Sequence, residues 1–172
     1  RAELAALSVL GSGEGVPTLA EVSDVVPDGV GLVVELKELG LAEDALLAVA
    51  DVDDLVVSSF LPDALEACRA VDPSVRFALN VFDAVEEQEI GGSGNEGLGD
   101  AGNEAPGIDL ARGHDCAAVH PHYGLCSPAY VERAHDVGLA VNAWTVDNRE
   151  TALDLAAAGV DGVIADRAGV LG

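Results

Sequence analysis

The feature that most constrains this chain is a repeated unit. A short run of β-branched residues gives way to a loop, then to an Ala/Leu-rich stretch with helical spacing. Strands are predicted over residues 31–36, 54–58, 75–80, 117–120, 139–144 and 162–165. Helices are predicted over 18–26, 41–49, 62–71, 127–137 and 149–158. Strands that alternate with helices build βα units, and βα units build a parallel sheet. The punctuation agrees. Thr18 with Glu21 matches a capping box, Pro62 and Pro128 suit a first helical turn, and Asn148 suits an N-cap. Gly40, Gly138 and Gly159 sit where left-handed C-cap residues are expected.

One interval breaks the rhythm. "EEQEIGGSGNEGLGDAGNEAPG", residues 86–107, is acidic and glycine-rich. It reads as an insertion at about 84–110, either a plain surface excursion or a lid over a site. Otherwise residues 1–172 read as a single domain. Six strands suffice for an open, doubly wound sheet. A TIM-type (β/α)8 barrel needs eight, so the first two would precede residue 1. The chain has no methionine, and residue 1 therefore reads as something other than a natural start. Six strands alone leave two open edges, which a homo-oligomer or a partner could close.

Charge narrows the partners. There are 31 Asp and Glu against 8 Lys and Arg, a net charge of −23. Phosphates would be repelled, so neither nucleic acid nor an anionic lipid surface is expected to bind. No apolar run of membrane length and no leader pattern is evident, so no membrane insertion is expected and the expected location is cytoplasmic. In molar salt the screening length falls to about 3 Å, which makes such a surface tolerable. A halophilic cytosol is the expected setting, with an acidic interaction surface as the other explanation. Hydrophobic residues reach 49%, which argues against disorder. Aromatics reach only 3%, so the core must be aliphatic. The odd count of three cysteines, Cys68, Cys116 and Cys126, fits a reducing compartment.

Polar residues gather where the apolar runs stop: Glu35 and Lys37; Ser58, Ser59 and Phe60; Asn80; His120 and His122; Trp144 and Thr145; Asp166 and Arg167. In both architectures ligands bind at the carboxyl ends of strands. Glu35 and Lys37 lie two apart in "VVELKELG" and point to one face. They make either a structural ion pair or a site, with Glu35 an oxygen ligand for a hard cation and Lys37 a phosphate contact. "HDCAAVHPHYGLC", residues 114–126, could be considered for zinc, but its spacing matches no common zinc motif. His120 or His122 lining a polar pocket fits better. His135 reads as a surface or packing residue, and Cys68 as buried packing. Trp144 reads either as core or as a pocket wall.

Several of these words together resemble the glycerophosphodiester phosphodiesterase family. "GVPTLAEV" is similar to its "IPTLEEVL", and "VVELK" to its "NIELK". "VVSSF.PDAL" resembles its "SF…AL" segment. "YGLCSPAYVERAHDVGLAVNAWTVDN" resembles "L…V..AH..GL.V..WTVN", and "GVDGVIADRAGVL" resembles "GVDGIITDRP". The blocks run in family order along almost the whole chain. The resemblance implies a TIM-related barrel that hydrolyses glycerophosphodiesters to glycerol 3-phosphate and an alcohol, using a divalent cation, Ca²⁺ or Mg²⁺. It implies Glu35 as a metal ligand, Lys37 as the phosphate-contacting lysine, and Trp144 and Phe60 at the substrate pocket, with His120 added from its own position. The family's "HRG", "E.D" and second-histidine words are missing here, so its acid–base histidines are expected upstream of Arg1. This chain alone is expected to show little or no catalysis. The alternative is a non-catalytic acidic α/β module that binds a small phosphorylated ligand.

Overall fold

Each strand lies beside its neighbours in sequence. The structure, a computed structural model, describes residues 7, 8, 13, 15–82 and 105–170. The strands are β1 (Leu32–Glu35), β2 (Leu55–Ser59), β3 (Arg76–Val81), β4 (Ala118–Pro121), β5 (Ala140–Ala143) and β6 (Gly162–Val163). They form one parallel sheet in the order β1-β2-β3-β4-β5-β6. The helices are α1 (Leu19–Ser23), α2 (Ala42–Ala48), α3 (Pro62–Val71), α4 (Ile108–Gly113), α5 (Pro128–Asp136) and α6 (Arg149–Ala158). Successive crossovers of one hand put the helices on one side of the sheet, which curls as half a barrel.

Side-chain alternation separates the two faces. Val34 is 7% exposed while its neighbour Val33 is 51% exposed. Val34, Val57, Phe77, Leu79, Val81, Val119, Val141 and Ala143 are buried on the face that meets the helices. Helices answer with residues three or four apart: Leu65 and Cys68 on α3, Tyr130 and Ala134 on α5, Ala152 and Leu155 on α6. The other strand face is the concave interior, where the polar residues stand. Among the described residues β1 pairs only with β2, and β6 only with β5.

The helix starts follow the sequence reading. Thr18 and Glu21 form both halves of a capping box, Pro62 and Pro128 open α3 and α5, and Asn148 caps α6 by accepting from Thr151 N. Gly138 and Gly159 carry φ of +82° and +96° beyond their helices. Gly40 is also left-handed, at +81°. It serves the turn leading into α2 rather than a helix end, because β1 and not a helix precedes it. Helices 62–71 and 149–158 match expectation, and the other element ends differ by at most three residues, as frayed ends do.

The expected insertion at about 84–110 needs correction at its far end. Residues 84–104 lie outside the described residues. Residues 105–110 belong to the packed fold: Ala105, Ile108 and Ala111 are buried, and α4 begins at Ile108. The Tyr130 hydroxyl donates to the Pro106 carbonyl at 3.0 Å and ties this return to α5. All three cysteines are buried and unpaired. No described helix is long and apolar enough to cross a membrane.

Candidate functional site

At the carboxyl ends of the strands the concave face holds a cavity of about 500 Å³. It is lined by Val33, Glu35, Lys37, Ser58, Phe60, Asn80, His120, Trp144, Thr145, Ile164 and Asp166. Glu35, Lys37, Phe60, His120 and Trp144, the residues singled out from the sequence, all contribute to it.

The Glu35–Lys37 pair is placed by backbone continuity. Leu36 N donates to Ser58 O at 2.8 Å, so β1's ladder continues past Glu35. Leu36, 5% exposed, turns toward the helices, which leaves its two neighbours on the cavity side. The Ser59 hydroxyl donates to the Leu36 carbonyl at 2.6 Å and accepts from Leu61 N at 3.0 Å. Ser59 thus fixes the strand end from behind and lies outside the cavity. Lys37 Nζ stands 3.1 Å from Glu35 Oε1, with the lysine side chain 75% exposed. Lys37 is the one basic side chain among the lining residues.

The opposite wall is aromatic. Phe60 meets Trp144 edge to face at 5.6 Å, and Phe82 lies 5.4 Å from Trp144. Trp144 Nε1 donates to the His120 carbonyl at 2.7 Å, so its polar edge is satisfied and its ring is free to act as a wall. Trp144 is therefore both packed and cavity-lining. His120, 3% exposed, lies deeper. Burial pushes its imidazole pKa down to about 4, so the ring is neutral at pH 7. Its Nε2 is 3.2 Å from the Asn142 amide nitrogen. Asn142 was not singled out from the sequence. The available signal was a lone amide in an apolar strand, two residues before Trp144 and so on the same face.

The remaining histidines stand apart. His122 packs against Tyr123, Phe82 and Trp144 and accepts from Gly124 N. His114 faces Glu66, with Nδ1 to Oε1 at 2.8 Å, and His135 faces Asp161 at 2.8 Å. Burial pushes the Cys116 and Cys126 thiols up to about 11, against the thiolate form that zinc takes. Among the described residues no three His, Cys, Asp or Glu side chains come together as a metal site. Glu35, paired with an ammonium, and Asp166 are the two carboxylates on the cavity lining, fewer than the six or more oxygen ligands a hard divalent cation takes.

Known proteins resemble this chain in sequence and fold. A curated glycerophosphodiester phosphodiesterase of Caldanaerobacter subterraneus is 27% identical over 164 residues, covering 90% of this chain and 60% of its own length. A phosphodiesterase structure from Oleispira antarctica, solved with the product sn-glycerol-3-phosphate, is 28% identical with a TM-score of 0.73. That match covers 96% of this chain and 66% of the other. A glycerophosphodiester phosphodiesterase structure from Parabacteroides distasonis, 20% identical with a TM-score of 0.70, shares the fold; it too is matched over 96% of this chain and 66% of its own. The chain thus spans about three fifths of the length of the curated relative it matches. The profile of the glycerophosphoryl diester phosphodiesterase family matches residues 32–170, and the chain belongs to that family.

Proposed function

We propose that the cavity at the strand ends binds the glycerol phosphate part of a glycerophosphodiester. We further propose that the complete protein hydrolyses such diesters to glycerol 3-phosphate and an alcohol. The observation that carries this reading is the convergence of Lys37, Glu35, His120, Phe60 and Trp144 on one cavity. In a chain of net charge −23, an anionic ligand needs a local cation, and Lys37 is the sole lysine of the sequence. Its ammonium attracts a nonbridging phosphate oxygen and stabilises charge that grows as the ester bond breaks. Phe60 and Trp144 cover the apolar edge of the ligand and keep water from that side. His120, neutral, contributes hydrogen bonding without adding charge.

The described residues alone supply neither a full set of cation ligands nor a matched acid and base. Glu35 is one carboxylate of a set for Ca²⁺ or Mg²⁺ that other sequence would complete, and the acid–base histidines belong upstream of Arg1. Two further βα units beside β1 would supply both and close the ring, making residues 1–172 part of a larger barrel domain. A cytoplasm of high salt, as in a halophilic archaeon, is the setting that suits the acidic surface.

The test has two arms. In molar KCl this chain should bind sn-glycerol 3-phosphate, and Lys37→Met should weaken binding tenfold or more, about 1.4 kcal/mol. Unchanged affinity in Lys37→Met removes the phosphate assignment. The full-length protein should hydrolyse glycerophosphocholine in the presence of Ca²⁺ or Mg²⁺, and Glu35→Gln should abolish it. Binding without hydrolysis there would mark a non-catalytic phosphate-binding module instead.

A further inference from the structure

The His120–Asn142 contact fixes more than a packing arrangement. An amide nitrogen carries hydrogens and no acceptor lone pair, so Asn142 Nδ2 donates and His120 Nε2 accepts across 3.2 Å. A neutral ring whose Nε2 accepts carries its proton on Nδ1. Burial keeps this ring neutral well below pH 7. His120 Nδ1 has no hydrogen-bond partner among the described residues. His120 lines the cavity, and with Nε2 engaged by Asn142, Nδ1 is the ring nitrogen left for a ligand.

The amide is held in turn by its neighbours. Asn142 pairs in register with Gly162 on β6. A Cβ at Gly162 would come 2.5 Å from Asn142 Oδ1, so glycine there leaves room for the amide. Val141 and Ala143, on either side of Asn142, are fully buried toward the helices, which commits Asn142 to the interior face. The Trp144 indole holds the His120 carbonyl at 2.7 Å, so the residue is fixed at both main chain and ring. Three adjacent strands thus converge on the orientation of one imidazole.

We propose that Asn142 is a positioning residue that locks His120 as the Nδ1–H tautomer and so presents Nδ1–H to the cavity as a donor for an oxygen of bound glycerol phosphate. The proposal rests on the reading of the cavity given above. Lys37 attracts the anion at contact, from an ammonium free to move on a flexible stem. A fixed N–H selects where an acceptor oxygen sits, because the bond weakens steeply away from linearity. Asn142→Asp reverses the polarity. A carboxylate only accepts, so a proton would be drawn to Nε2, and the adjacent negative charge also favours the doubly protonated ring.

The tautomer can be read without a variant and without a ligand. In protein labelled with ¹⁵N-histidine, long-range ¹H–¹⁵N correlation at pH 7 should show His120 with its proton on Nδ1. In Asn142→Asp Nε2 should carry a proton, and affinity for sn-glycerol 3-phosphate should fall tenfold or more. Adding sn-glycerol 3-phosphate to the unsubstituted protein should shift His120 Nδ1–H. An Nε2–H tautomer in the unsubstituted protein overturns the inference, whatever the ligand does. So does an Asn142→Asp variant that folds and leaves Nε2 without a proton. Binding that Lys37→Met weakens but that leaves His120 unshifted overturns the donor role alone. No binding overturns the reading of the cavity, and the donor role with it.

Discussion

Gly107 offers a sharp test of how the fold is held at the point where the chain re-enters it ahead of α4. Its φ is +79°, and a Cβ built there would overlap Val81 Cγ2 and come within 3.0 Å of Val81 Cγ1. Val81 ends β3 and is 1% exposed, so it has little room to give. Gly107→Ala therefore meets two penalties. The left-handed backbone costs a residue with a β-carbon about 1–2 kcal/mol. Forcing a methyl against a packed valine costs about 1–3 kcal/mol more. The total of about 2–5 kcal/mol is a large share of the ~5–15 kcal/mol that holds a typical domain together. A second substitution separates the two. Val81→Ala removes the obstructing methyls and alone loses about 1.6 kcal/mol, at ~0.8 kcal/mol for each buried carbon. In the double variant only the backbone part should remain on top of that loss. Its destabilisation should fall short of the sum of the single variants by about 1–3 kcal/mol. Urea unfolding followed by circular dichroism at fixed high salt would read this from the midpoints, provided the slopes stay equal. Additivity to within about 0.5 kcal/mol would refute the contact-based account.

Other expectations follow from particular residues. His120, held near pKa 4 by burial when folded, titrates near 6.5 when unfolded. Its contribution is therefore full above pH 6.5 and declines as pH falls toward 4, by up to about 3 kcal/mol. His120→Gln should flatten the stability-versus-pH curve across that window, and unchanged curvature would count against burial as the cause. Asn148→Ala removes the acceptor that caps α6 at 2.9 Å and should cost about 1 kcal/mol, while Asn148→Asp should keep most of it; equal losses would disprove the cap. Raising KCl from about 0.1 M to about 3 M should raise the melting temperature, about 2–4 °C for each kcal/mol of relieved repulsion. A flat response would show that the charge of −23 is already compensated within the fold.

What could be read from the sequence divides along physical lines. Glu35 and Lys37 were legible because a strand turns alternate residues the same way, so two positions on one strand carry their own geometry. Capping at Thr18 and Asn148 is local in the same sense, needing a side chain and an N–H three residues on. The helix Ile108–Gly113 was missed because it is short and follows directly on a glycine-rich stretch. Its burial depends on Val81, Tyr130 and their surroundings, which are distant in sequence. Asn142 was missed for a related reason. Its partners, His120 and Gly162, are each about twenty residues away, and only strand register brings the three into line. Ser59, expected at the site, supports it from behind, because it falls one position out of phase with Ser58 on the same strand.

The uninterrupted strand order has a consequence for how such a molecule is made. Among the described residues no later strand must slip between two earlier ones. During synthesis each new unit meets a docking edge left ready by the one before, and assembly can proceed as accretion along a single front. Units added at either flank would extend the curve without unthreading anything already laid down.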